Sequence, residues 1–198
     1  NIIPAWIISD KKEYAAYTIR PKIHRLLDDY LTEIPPIQNH PFQCPEFPAS
    51  ADVCRLAQEV THQAARSGQS PEPGETAAQL AATTAVESTL QNYVRDRNNP
   101  CMDGQSGLSP YLHFGQLSPQ RLAWMVRHSD LSAENREAFL EELVVRRELA
   151  DNFCYYEPHY DNIKGFPEWA RKSLDQHRGD LREYIYSLEE FENGTTHD

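Results

Sequence analysis

Five prolines fall within fourteen residues, at positions 35, 36, 41, 45 and 48 of the stretch PPIQNHPFQCPEFP. A proline has no backbone N–H and a fixed φ, so such a stretch can neither continue a helix nor sit inside a sheet. It reads as an extended linker dividing the chain into 1–34, 35–48 and 49–198. Ahead of it, IIPAWIIS over 2–9 is an Ile-rich apolar run, expected as a buried strand with Pro4 near its start. Asp10 is placed as a helix N-cap, residues 13–20 look helical, and Pro21 either kinks that helix or begins another. Ile23, Leu26, Leu27, Tyr30 and Leu31 then recur at helical spacing. The expected fold is mainly α: the terminal strand and helix of an α/β unit, then the first part of a helical domain.

Beyond the linker, residues 52–66 are expected as a helix and 67–74 as a turn-rich break. A long helix is expected over 75–97, with Leu80, Val86, Leu90, Tyr93 and Val94 marking one side. Residues 98–109 read as a loop containing Pro100, Gly104 and Gly107. Ser118-Pro119 is a helix start, with Ser as cap and Pro at the first helical position. Ser132 caps a further helix running through Phe139, Leu140, Leu143, Val144 and Phe153. A loop over 158–167 and helices over 169–177 and 181–192 complete the reading.

A chain of 198 residues can bury a core of its own, and it contains no apolar run of the ~18 residues a membrane span needs. No basic and apolar leader is readable at its start. The formal net charge of −11 argues against a whole-surface grip on nucleic acid while leaving room for a local basic cleft. Cys44, Cys54, Cys101 and Cys154 are far apart with no C-x-x-C pair, and the eight histidines show no H-x-x-x-H spacing. Neither a disulfide framework nor a metal site is expected.

Two stretches carry chemistry. In GQSGLSPYLHFGQLSPQR, over 104–121, two serines flank Gly107 and Leu108. Small hydroxyls and backbone N–H groups beside a helix start suit an anion such as a pyrophosphate, although an ordinary capped turn uses the same residues. In EELVVRRELADNFCYY, over 141–156, Glu142 and Arg146 are four apart in the favourable acid-before-base order. Alone, that is a solvated helix pair worth ~0.2–0.5 kcal/mol.

Together these stretches resemble the photolyase and cryptochrome family, and most closely its class II cyclobutane pyrimidine dimer photolyases. The loop resembles the one that holds the diphosphate of FAD, with Tyr93, Arg97 and Pro100 of YVRDRNNPCMDG ahead of it at the family's spacing. The resemblance implies that Tyr93, Gln105, Ser106, Gly107, Leu108 and Ser109 contact FAD. Gln105, where class I members have Thr, points to class II. EELVVRREL is similar to the helix whose Glu hydrogen-bonds the dimer and whose Arg approaches the flavin, implying those roles for Glu142 and Arg146. Glu148 is the competing choice, because the repeated charges let the alignment slide. Val145 stands where many relatives have Trp.

The closing stretch, over 152–198, looks specifically class II. Arg147, Trp169, Arg171, Lys172 and Arg178 are candidate DNA contacts, since aromatics interleaved with cations can stack on bases and pair with phosphates. Trp169, Tyr184, Tyr186 and Phe191 read first as core, where large aromatics dominate. The family chain extends on both sides of the matched section, so this sequence is expected to be a fragment. Most of an α/β domain with an antenna chromophore would precede it, and the rest of the flavin pocket would come after it. The implied function is light-driven repair of pyrimidine dimers in damaged DNA by reduced FAD, in a monomer, cytoplasmic in a prokaryote or nuclear in a eukaryote. The alternatives are a cryptochrome-like photoreceptor without repair, and a cofactor-free helical interaction domain.

Overall fold

Ile2 and Ile3 donate their backbone N–H groups to Glu148 Oε1, at 2.6 and 3.2 Å, rather than to a neighbouring strand. Pro4, with φ of −58°, then opens a helical turn whose first bonds run from Ile7 and Ile8 N–H to the Pro4 carbonyl. The strand expected over 2–9 is therefore the short helix α1, Ala5–Ile8, and no strand occurs among the described residues. A strand needs a ladder partner for its N–H groups, and a buried carboxylate takes that place here. The computed structural model describes residues 1–36, 38, 39, 41, 42 and 71–197. The helix expected over 52–66, Cys44, Cys54 and most of the linker lie outside the described residues.

Helix α2 is Ala16–Tyr30 and runs unbroken through Pro21, burying Ala16, Ile19 and Ile23. Asp10 does not cap it; the residue before its first turn is Ala15. Helix α3, Glu75–Glu87, buries Ala78, Ala82, Ala85 and Val86. This stripe of small side chains admits close packing, and it leaves Leu80, expected inside, 68% exposed on the other side.

The single helix expected over 75–97 is three pieces: α3, a 3₁₀ turn Thr89–Asn92, and α4, Tyr93–Asp96. Asn135 explains the interruption. Its side chain accepts from Val94 N–H at 3.0 Å and donates to the Gln91 carbonyl at 2.7 Å, taking backbone groups that a continuous helix would use.

Next come α5, Ser109–His113; α6, Pro119–Arg127; and α7, Ala133–Leu140. Ser118 and Ser132 cap the last two by accepting from Arg121 and Asn135 N–H, as their sequence positions predict. From Glu141 to Arg146 the helix widens to a π turn, then returns to α in α8, Arg147–Tyr156.

Two compact units result, Asn1–Tyr155 and Tyr156–Asp198. In the first, residues on either side of the proline-rich stretch share one core: Ile3, Ile19, Ile23 and Leu31 cluster with Leu90, Leu122, Val126, Val144 and Val145. A polar seam fastens α8 to the start of the chain. Glu148 is 0% exposed, and Asn152 accepts from Glu13 N–H at 2.7 Å while donating to the Lys11 carbonyl at 3.1 Å.

The second unit holds a 3₁₀ turn Ile163–Gly165, helix α9, Glu168–Gln176, and helix α10, Leu188–Asn193. Neither of these helices buries a residue. Trp169 is 74% exposed, and Tyr184 and Phe191 are exposed too, so the core role expected for these aromatics is not met. Short helices without an apolar layer against them leave large rings in solvent. The helix expected over 181–192 is confined to α10 because Ser187 and Glu190 form a capping box that fixes its start.

Glu13, almost fully buried, accepts from Ser9 Oγ at 2.7 Å and from Lys22 Nζ at 2.5 Å. Burial alone would raise its pKa, but hydrogen bonds from Lys22, Thr18 and Ser9 and the Lys22 charge outweigh it, giving about 2 instead of 4.5. A carboxyl depressed in the folded state stabilises fully above its unfolded pKa and loses that contribution as pH falls through the folded one. Thermal melts of Glu13→Gln should therefore show lower stability than the parent near neutrality, with the difference shrinking between about pH 4.5 and about 2.

Candidate functional site

Tyr93 begins α4 with its ring edge-on to Phe139 of α7, centroids 5.3 Å apart at 78°. Arg97, one turn after Tyr93, lays its guanidinium over the Tyr93 ring at 5.5 Å and reaches Glu142 Oε1 at 3.1 Å. Gln105 donates from Nε2 to the Arg97 carbonyl at 2.7 Å, drawing the 104–109 loop back over the same place. These contacts bound a cavity of about 430 Å³ lined by Tyr93, Arg97, Asn98, Gln105, Ser106, Ser109, Leu112, Phe139, Glu142, Leu143 and Arg147.

Two glycines make the loop feasible. Gly107 has φ of +66°, a left-handed conformation that residues with a side chain rarely adopt. Gly104 passes so close to α4 that a Cβ there would lie 2.5 Å from the Asp96 carbonyl carbon and oxygen. Ser106 Oγ accepts from Leu108 N–H at 3.4 Å, and the Leu108 side chain is buried in the core. The next helix, α5, has only five residues, so hydroxyl and guanidinium groups rather than a macrodipole supply the positive lining.

The π turn decides which charges share the cavity. In a π turn the backbone bonds run from i to i+5, so residues five apart lie closer around the axis than they do in an α-helix. Glu142 and Arg147 are five apart and both line the cavity. Glu141 and Arg146, also five apart, meet on another side at 3.4 Å. The Glu142–Arg146 pair expected from α-helical spacing is not formed, because the wider turn moves Arg146 off the cavity and onto Glu141. Val145 is buried in the core and does not line the cavity.

Of the residues singled out from sequence, Tyr93, Gln105, Ser106, Ser109, Glu142 and Arg147 come together. Gly107 and Leu108 shape the loop from behind, Arg146 lies outside, and Glu148 is sealed in the core against Ile2 and Ile3. Burial raises the Glu148 pKa, against the two backbone hydrogen bonds that lower it. Burial likewise raises the Tyr93 phenol above its usual 10, opposed by Arg97, so it keeps its proton near neutral pH and can donate. Trp169, Arg171, Lys172 and Arg178 belong to the second unit. Lys172 is paired with Glu168 at 2.7 Å and Arg178 with Asp175 at 2.9 Å.

Phe139, Leu112, Leu143 and Asn98 were not read as site residues from sequence. Phe139 stands three before Glu142, a helical neighbour spacing that could have flagged it. Asn135, which holds the start of α4 against α7, carried no sequence signal of that role.

The donor set fits an anionic cofactor with a flat apolar portion. Two serine hydroxyls and two guanidiniums line one cavity with an aromatic pair, and Arg147 Nε is buried with no hydrogen-bond partner. A buried donor without a partner is costly.

The chain is 46% identical over its whole length to a deoxyribodipyrimidine photo-lyase of Arabidopsis thaliana, covering 42% of that protein. It is 45% identical to the one of Oryza sativa subsp. japonica, covering 41%, and 41% identical to the one of Potorous tridactylus, covering 38%. The chain belongs to the photolyase family. It spans about two fifths of the length of these relatives. No protein-family model matches it. Among the described residues, no helix is long and apolar enough to cross a membrane.

The Gly104 approach gives a direct check on the photolyase loop. Gly104→Ala has to displace the Asp96 backbone or the loop itself, a cost of ~1–3 kcal/mol for overpacking a tight site. Chemical denaturation should show that loss, whereas Gly179→Ala, with open space around its Cβ, should not.

Proposed function

We propose that this chain forms part of a class II photolyase that splits cyclobutane pyrimidine dimers in DNA by light-driven electron transfer from reduced FAD. The observation that carries the reading is the single cavity in which the hydroxyls of the 105–109 loop, the aromatic pair, Glu142 and Arg147 converge. Whole-length identity of 41–46% to proteins named deoxyribodipyrimidine photo-lyase supports it.

In this reading Ser106 and Ser109 donate to the diphosphate of FAD, and the Arg147 guanidinium, which lines the same cavity, supplies the charged donor. Tyr93 and Phe139 give the apolar wall, with Arg97 fixing the tyrosine ring from above. Bound there, the reduced and light-excited flavin would supply the electron that opens the cyclobutane ring. Photolyases take the lesion out of the base stack to act on it. Glu142 faces the cavity with Arg97 3.1 Å from its Oε1, which leaves its second oxygen to accept a hydrogen bond from an N–H of the lesion. Arg146 is left on Glu141, and the flavin role passes to Arg147. Damaged DNA is the proposed partner.

The test uses the full-length protein. Glu142→Ala should lower repair of dimer-containing oligonucleotide per absorbed photon several-fold while the flavin content per chain holds. Arg147→Ala should weaken FAD binding about tenfold or more, the scale of a lost charged hydrogen bond of ~1.5–3 kcal/mol. A colourless protein that refuses added FAD would overturn the cofactor assignment. A flavin-loaded protein that restores no pyrimidines under illumination would favour a photoreceptor.

A further inference from the structure

The π turn that gathers Glu142 and Arg147 is held from outside the cavity. Arg20 of α2 sets both ends of its guanidinium fork on Glu141, Nε to Oε2 at 2.9 Å and Nη2 to Oε1 at 2.7 Å. Glu141 is the first residue of the turn, and Arg146, its last, closes on the same carboxylate at 3.4 Å. Val144 and Val145, in the middle, are buried and cannot swing freely. Glu141 is thus gripped from α2 and from the far end of its own turn, while the next side chain, Glu142, enters the cavity.

An α-helical path through the same residues is the common alternative, since π turns occur mostly as single-turn bulges and need a local reason to persist. On that path Arg146, four after Glu142, would take the position over the acid, and Arg147 would turn away. The bidentate Arg20 fork favours the carboxylate orientation seen in the π form, because its planar geometry accepts few others. The Glu141 pKa is lowered chiefly by the Arg20 hydrogen bonds, so the carboxylate is charged and able to hold this contact at neutral pH.

We propose that Arg20 is a positioning residue: acting through Glu141, it keeps 141–146 in the π register and so determines that Arg147, not Arg146, shares the cavity with Glu142. Its effect on flavin binding rests on the function proposed above, whereas its effect on the register does not.

The experiment uses the full-length protein and two readings. The first, amide hydrogen exchange without flavin, should show residues 141–147 of Arg20→Met opening roughly tenfold or more faster than in the parent, with the remaining helices unchanged. The second is FAD affinity. In the parent it should respond to Arg147→Ala and not to Arg146→Ala, and in the Arg20→Met background the sensitivity should move to Arg146. Exchanging the charges, Arg20→Glu with Glu141→Arg, should recover part of the protection that either change alone removes. Unchanged exchange together with retained dependence on Arg147 would overturn the proposal. If Arg20→Met does not fold, Arg20→Lys, which keeps the charge and loses the fork, decides by the same two readings. A parent protein that binds no FAD sinks the flavin reading alone, and hydrogen exchange still decides the role of Arg20.

Discussion

One extra residue in a helical turn sorts the charges of this molecule. From Glu141 to Arg147 the sequence presents two acids, a leucine, two valines and two arginines, and the π turn sends the charges and the valines to three different places. Arg20 and Arg146 close on Glu141, Val144 and Val145 enter the core, and Glu142 and Arg147 reach the cavity. In regular α geometry, residues five apart would be offset around the axis and the cavity would hold a different arginine.

The opposite wall depends on an equally local device. Asn135 takes two backbone groups from the 91–94 segment and breaks what would have been one long helix. The break sets Tyr93 against Phe139 and lets Arg97 reach Glu142. Gly104 then brings the serine-bearing loop into contact with the Asp96 backbone, a distance no side chain would allow. The cavity is thus the joint product of a widened turn, an interrupted helix and a glycine contact.

Much of this was legible in the sequence. Ser118 and Ser132 cap helices where their positions indicate, and α2 follows the spacing of Ile23, Leu26 and Leu27. The loop with Ser106 and Ser109 and the helix with Glu142 do share a cavity. What could not be read depended on partners distant in the chain. Ile2 and Ile3 looked like strand residues because their alkyl side chains fit one, but their N–H groups go to a carboxylate 145 residues or more away. The pairing of Glu142 with Arg146 followed from an α-helical period, and nothing local in EELVVRR announces a π turn. The second unit misled in another way: its aromatics were read as core, yet its short helices bury nothing.

The proposed repair site requires the diphosphate of a flavin to lie against the 105–109 loop with Arg147 beside Glu142. A crystal structure of the full-length protein grown with FAD tests this directly. Diphosphate oxygens are expected within hydrogen-bonding distance of Ser106 and Ser109, with the Arg147 guanidinium on the flavin. A flavin bound elsewhere, with this loop facing solvent and Arg146 in the cavity, would contradict it.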